Sequence, residues 1–370
     1  MQTIVSVQAL RAIAAIAVAL THLSQVGLMV QGRANDPIPL YHLAMGVDLF
    51  FVISGFIMVY SSEQLFAAPG GTATFSVRRL ARILLPYWIV TLVAIPAMTL
   101  PWDWSTLVAS ALFIPYYNAG GNIAPLYGVG WTLNFEMFFY ALFAVAVCWP
   151  RKIAVPALCL TLCGLVIVGR LLRPHSAPLV AWTDPIMLEF AFGMILALAY
   201  RHRVELPNWV RLGLLATAAA AVWFVTPGMP PTGYRVLMWG IPAAMILAGA
   251  VLGKQETDTG PIAGLAKLLG DASYMIYLIH PIAGAVIITQ WWFLQRFPVN
   301  AVLVTGLIAT CALSVVIYLY LERPTTQLLQ RSLMRAFKAL RDQGRLTPIG
   351  PSATLAPAKP ATGVKSVSGG

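Results

Sequence analysis

Long apolar stretches separated by short polar loops set the pattern of this chain. About 20 consecutive apolar residues suffice for a helix that crosses a bilayer. Such stretches fall at roughly 6–30, 43–61, 83–101, 128–149, 153–171, 182–200, 209–226, 234–252, 272–292 and 299–321. The pattern predicts an all-α fold: a polytopic integral membrane protein with about ten transmembrane helices. One further run, Ser105 to Pro115, is too short to cross at about 1.5 Å per residue and reads as a re-entrant or surface segment.

The first stretch interrupts its own apolar pattern with Arg11 and His22. An ionisable residue inside a membrane helix is by default a functional hypothesis. The two are eleven residues apart, about 1100° of rotation, so they share a face and lie roughly 16 Å apart along the axis. Either they line a path across the membrane, or Arg11 snorkels at a helix end and His22 is a packed, hydrogen-bonded residue.

The loops orient the chain. With a cytoplasmic N-terminus, the inner loops hold Arg78, Arg79, Arg82, Arg151, Lys152, Arg201, Arg203, Arg211, Lys254 and Lys267. The outer loops keep only Arg33, Arg173, Arg235 and Arg296, with Arg170 at a span end. Basic residues concentrate on the cytoplasmic side, so both termini are expected there. Residues 1–325 are expected to form the transmembrane domain. Residues 326–370 form a basic amphipathic helix and a disordered tail. Within that helix Leu328, Leu329, Leu333, Phe337 and Leu340 share one side, so it is expected to lie on the inner membrane surface. The tail is rich in Pro, Ala, Ser and Gly.

Composition narrows the class. Of 370 residues, 59% are hydrophobic and 10% charged, far below the charged quarter of a soluble domain. The net charge of +11 then reflects basic inner loops and not a nucleic-acid surface. Cys148, Cys159, Cys163 and Cys311 all fall in apolar runs and carry no paired metal motif. No basic region precedes the first span, which reads as retained and not as a cleaved signal.

Topology assigns the buried polar residues a depth. Span one runs outward, placing Arg11 inside and His22 outside. Asp48 opens span two near the outer end, at the depth of His22; it either orients that histidine or begins its helix as an N-terminal charge. Arg78, Arg79 and Arg82 mark the inner start of span three, as topology markers or as a phosphate clamp. In span four Thr132, Glu136 and Tyr140 fall at i, i+4, i+8 on one face. Glu136 is too deep to snorkel and must face inward, toward a partner or a central path. Span nine carries Ser273, Tyr277 and His280, with a kink expected at Pro281; His280 reads as a satisfied core histidine. Tyr116 and Tyr117 sit in an aromatic, amide-rich outer loop that suits stacking on sugars or simply marks the membrane interface.

These residues bring a resemblance with them. The chain resembles the acyltransferase-3 family of integral membrane acyltransferases, particularly the branch that acetylates exopolysaccharides and O-antigens, over about residues 4–325. The likeness rests on Arg11 and His22, on Gly46-Val47-Asp48-Leu49-Phe50-Phe51-Val52-Ile53-Ser54-Gly55-Phe56, on Arg79 and Arg82 before Pro86-Tyr87, on Trp131-Thr132-Leu133-Asn134-Phe135-Glu136, on Tyr277-Leu278-Ile279-His280-Pro281, and on Glu322-Arg323-Pro324. Many relatives carry serines where this chain has Thr132 and Asn134, and many carry a fused soluble domain that is absent here.

The resemblance implies an acyl-CoA-dependent O-acyltransferase of the bacterial inner membrane. An acyl group, acetyl in the simplest case, would pass from cytoplasmic acyl-CoA to a hydroxyl of an exopolysaccharide, O-antigen or lipid-linked sugar at the outer face. His22 would be the base, or would carry the acyl group covalently, with Asp48 and Glu136 in the catalytic network. Arg11, Arg78, Arg79 and Arg82 would bind CoA phosphates. Trp131, Asn134, Tyr116, Tyr117, Tyr277 and His280 would meet the acceptor. No metal and no nucleic acid enter this scheme; the partners are the bilayer and the glycan. The alternative is a transporter or flippase, which also places buried charges along a path, though no internal repeat is visible in the chain.

Overall fold

The structure, a computed structural model, describes residues 3–38, 40–97, 102–225, 228–231, 233–254 and 260–342. The tail expected to be disordered lies outside the described residues. Among the described residues there is no β-strand, only an isolated bridge between Tyr117 and Ile123; the architecture is helical throughout. In chain order the first helices are α1 (Val5–Val30), α2 (Gly46–Ser61), α3 (Gly71–Ala94), α4 (Trp104–Ala111) and α5 (Trp131–Ala146). Next come α6 (Arg151–Leu172), α7 (Ala177–Trp182), α8 (Leu188–Arg201), α9 (Asn208–Ala220) and α10 (Ile241–Val251). The last are α11 (Pro261–Thr289), α12 (Trp291–Leu294), α13 (Val299–Ile317) and α14 (Arg323–Asp342).

Five helical stretches among the described residues are long and apolar enough to cross a membrane: Val5–Val30, Tyr41–Ser61, Gly128–Ala146, Arg151–Leu172 and Val299–Ala339. A sixth is α11, bent by 64° between Pro261–Asp271 and Ser273–Thr289. The described parts of the other apolar runs are also largely helical. Helix α3 carries three arginines in its first half, and α8, α9 and α10 are short. The run expected as a surface segment forms α4, eight residues long and capped by Asp103, whose carboxylate accepts from the Thr106 backbone N–H.

Membrane helices associate through close backbone approach, because lipid supplies no hydrophobic drive between them. Helices α2 and α8 show this. A Cβ on Gly55 would stand 2.1 Å from the Phe190 carbonyl oxygen, and one on Gly193 would stand 1.9 Å from that of Val52. Around this contact the aromatic core closes: the Phe139 and Phe190 rings stack at 4.3 Å, and Phe51, Phe56 and Phe143 are buried with them. Helices α1 and α11 lie side by side in the same way, with Gly270 against the backbone of Gln8, 2.4 Å from a would-be Cβ to the carbonyl oxygen.

Two expectations change. The bend in α11 falls at Ala272, not at Pro281. The bend follows directly on Gly270, a weak helix former pressed against α1, where the chain yields more easily. The basic helix α14 continues α13 through a π-helical turn, Tyr318–Glu322, as one helix from Val299 to Ala339. That helix is about 60 Å long, twice the hydrocarbon thickness. So α14 is the continuation of α13 and not a separate helix. It packs on the first half of α3, where Gln330 Nε2 donates to the Arg78 carbonyl at 3.2 Å.

Candidate active site

A polar cavity opens among α1, α2, α3, α5 and α11. Arg11, Arg79 and Arg82 line it, brought from two helices by the first halves of α1 and α3. Each is only partly committed. Arg11 Nη1 donates to Gln8 Oε1 at 3.2 Å, and Gln8 Nε2 donates to Asp271 Oδ1 at 2.8 Å, tying α1 to α11. Arg79 Nη2 donates to Ser61 Oγ at 2.5 Å, while its Nε is buried without a partner. Three guanidinium groups with donors to spare form a place for an anion with several oxygens. Arg78, the fourth expected member, is exposed and does not line the cavity.

Glu136 enters the same cavity from α5, as its helical face predicts, with Thr132 and Tyr140 beside it. Glu136 Oε1 accepts from Ser54 Oγ at 3.0 Å and from the Tyr140 hydroxyl. Its positive neighbours are the arginines of the cavity wall, so the charge is balanced across the space and not by one fixed ion pair.

At the other end stand Thr132 and Tyr277, whose hydroxyls are 2.9 Å apart. The Tyr277 ring lines the cavity and lies 5.8 Å from the ring of His280. His280 in turn lies 4.9 Å from His22. His280 is buried, and neither ring nitrogen meets a hydrogen-bond partner; His22 is exposed. So His280 is no satisfied core residue. Arg11 and His22 belong to one helix as the spacing predicts, but His22 stands beyond Tyr277, outside the cavity that Arg11 lines.

Asp48 does not pair with His22. It is fully buried, and both its oxygens accept from Arg235, Nε to Oδ1 at 2.9 Å and Nη2 to Oδ2 at 2.8 Å. A buried carboxylate needs a cation with matching donors, and a forked guanidinium meets that need better than an imidazole. The Arg235 guanidinium also sits over Trp131 at 5.5 Å and Trp239 at 5.0 Å. Trp131 is therefore engaged in packing. Glu189 completes this second cluster: it is fully buried without a hydrogen-bond partner, and a Cβ on Gly240 would fall 2.7 Å from its Oε1. Reading Arg235 as a loop residue hid this pair; the signal was there in its place at the start of the apolar run 234–252.

The remaining candidates are dispersed. Asn134 is buried away from the cavity, its Oδ1 without a partner. The Tyr116 hydroxyl lies 3.0 Å from Ser110 Oγ, and the exposed Tyr117 donates to the His175 carbonyl at 3.0 Å. Both tyrosines hold the loop between α4 and α5 in place. Tyr140, Ser54 and Ser61, which bind the cavity's charged groups, were not among the expected site residues.

An acyltransferase domain family matches residues 4–319. The chain is similar to the exopolysaccharide production protein ExoZ of Rhizobium meliloti (strain 1021), 33% identical over 305 residues, which covers 80% of this chain and 92% of that protein. No solved structure matches the chain.

Proposed function

The chain belongs to the acyltransferase-3 family, and from that premise we propose that it transfers an acyl group, in the simplest case acetyl, from cytoplasmic acyl-CoA to a sugar hydroxyl at the outer face of the bacterial inner membrane. The acceptor class is an exopolysaccharide, O-antigen or lipid-linked glycan, in keeping with the name of the relative from Rhizobium meliloti. In this reading the chain crosses the membrane ten times with both termini in the cytoplasm, supported by the crowding of Lys and Arg on alternate loops.

The observation that carries the proposal is a run of neighbouring groups. Arg11, Arg79, Arg82, Glu136 and Tyr277 line one cavity, the Tyr277 ring lies against His280, and His280 lies against His22. The arginines bind the phosphates of the donor, because forked guanidinium groups match phosphate oxygens. His22 lies roughly 16 Å further along α1, a distance comparable to the reach of an extended pantetheine arm. There His22 takes the proton of the sugar hydroxyl as its oxygen attacks the thioester carbonyl. The carbon–sulfur bond breaks, and the histidine returns the proton to the departing thiolate. An imidazole suits both halves because its ordinary pKa, about 6.5, lies near working pH. His280 packs against the base, and Glu136 balances the charge of the arginines.

The test is direct. Purified protein in nanodiscs, given labelled acetyl-CoA and a glycan acceptor, should form a labelled glycan, and mass spectrometry of surface glycans should show acyl groups that vanish when the protein is removed. Failure of transfer with every sugar acceptor, in protein that is folded, overturns the proposal.

A further inference from the structure

Many hydroxyl groups on these helices bond to their own backbone. Thr21 donates to the Ala17 carbonyl at 3.1 Å, Thr161 to Ala157 at 2.9 Å, Thr289 to Ala285 at 3.0 Å and Ser314 to Thr310 at 2.6 Å. This four-back bond is the ordinary way to satisfy a hydroxyl in an apolar surrounding. Ser273 does not make it. Its side chain is wholly buried, its Oγ has no partner, and it lines the polar cavity. A buried hydroxyl left unpaired costs free energy and calls for an explanation.

The position of Ser273 supplies one. It lies directly after the 64° bend in α11. On its inner side, Asp271 holds Gln8, which holds Arg11. On its outer side His280 follows seven residues later on the same straight segment, about 10 Å further along. Ser273 therefore stands between the arginines and the histidines. Other hydroxyls that line the cavity are engaged: Ser54 and Tyr140 on Glu136, Tyr277 with Thr132, Tyr274 on the Ile83 carbonyl.

We infer that Ser273 is a donor-binding residue whose hydroxyl hydrogen-bonds an amide in the pantetheine arm of acyl-CoA. The inference rests on the proposal that the cavity takes acyl-CoA. The arm links the phosphates to the thioester, and its polar groups along that length are neutral: two amides and one hydroxyl. A hydroxyl offers one donor and two acceptor lone pairs with no charge, which matches an amide; phosphate falls to the arginines below. The bend holds the hydroxyl toward the cavity at the height where the middle of the arm passes.

Two ligands separate this role from a structural one. Coenzyme A carries the arm; 3′-phospho-ADP carries the same nucleotide end without it. Binding of each is measured to the full chain in nanodiscs. Ser273→Ala should weaken CoA about tenfold, the worth of one hydrogen bond, and leave 3′-phospho-ADP within about twofold of wild type. Ser273→Cys, close in size but a weak donor, should behave like Ser273→Ala. The Arg79→Ala, Arg82→Ala double variant should weaken both ligands. Unchanged CoA affinity in Ser273→Ala, or equal weakening of both ligands, overturns the inference and leaves the acyl-CoA reading standing. Failure of the wild-type protein to bind CoA overturns both.

Discussion

The rings of His22 and His280 lie 4.9 Å apart, centroid to centroid, tilted by 56°. The pair joins α1 to α11 at one height, one ring exposed and the other buried. A base at His22 thus has an imidazole for a neighbour, not a carboxylate.

His22→Ala should fold, keep CoA affinity through the inner arginines, and lose transfer. The loss of a general base costs about 10²–10⁴-fold in rate. CoA binding and acyl transfer are measured on the same preparation. Transfer within a few-fold of wild type would make His22 structural.

Asp48 and Arg235 should behave as a stability pair. Removing one partner leaves an uncompensated buried charge, worth about 3–5 kcal/mol. Asp48→Ala should therefore lower the thermal midpoint in detergent sharply, and the Asp48→Leu, Arg235→Met double variant should recover most of it. If Asp48→Ala instead keeps its midpoint and loses only transfer, the carboxylate acts on the reaction.

The four arginines should divide in two. Arg79→Ala with Arg82→Ala should weaken CoA about ten- to a hundredfold, as charged hydrogen bonds are lost. Arg78→Ala should leave affinity unchanged, because Arg78 lies outside the cavity. Titration of CoA against each variant checks both halves, and an equal effect of Arg78→Ala would point to a site elsewhere on the inner surface.

Glu136→Gln keeps an oxygen for Ser54 and Tyr140 but removes the charge facing the arginines. Transfer should fall by more than about tenfold, with the thermal midpoint little changed. Near-normal transfer would show that a neutral acceptor is enough.

Topology is open to a chemical test. A cysteine placed at position 42 should react with a membrane-impermeant reagent from outside, and one at 202 should not. Outside labelling at 202 would break the ten-span scheme.

Much of this protein was legible before any folding was considered. Apolar runs of membrane length, and the crowding of basic residues on alternate loops, depend only on local composition and on the bilayer as solvent. The Arg11–His22 alignment and the shared face of Thr132, Glu136 and Tyr140 follow from helix periodicity alone. Partnership did not follow. Asp48 takes Arg235, a residue far along the chain, because a buried carboxylate settles on whichever cation can be brought to it with matching geometry. His22 meets His280, and Ser273 is left unpaired beside a bend, because close backbone packing of α1 on α11 sets which faces meet and where the chain yields. The spans are a property of the sequence; which charges and hydroxyls they bring together is a property of how the helices pack.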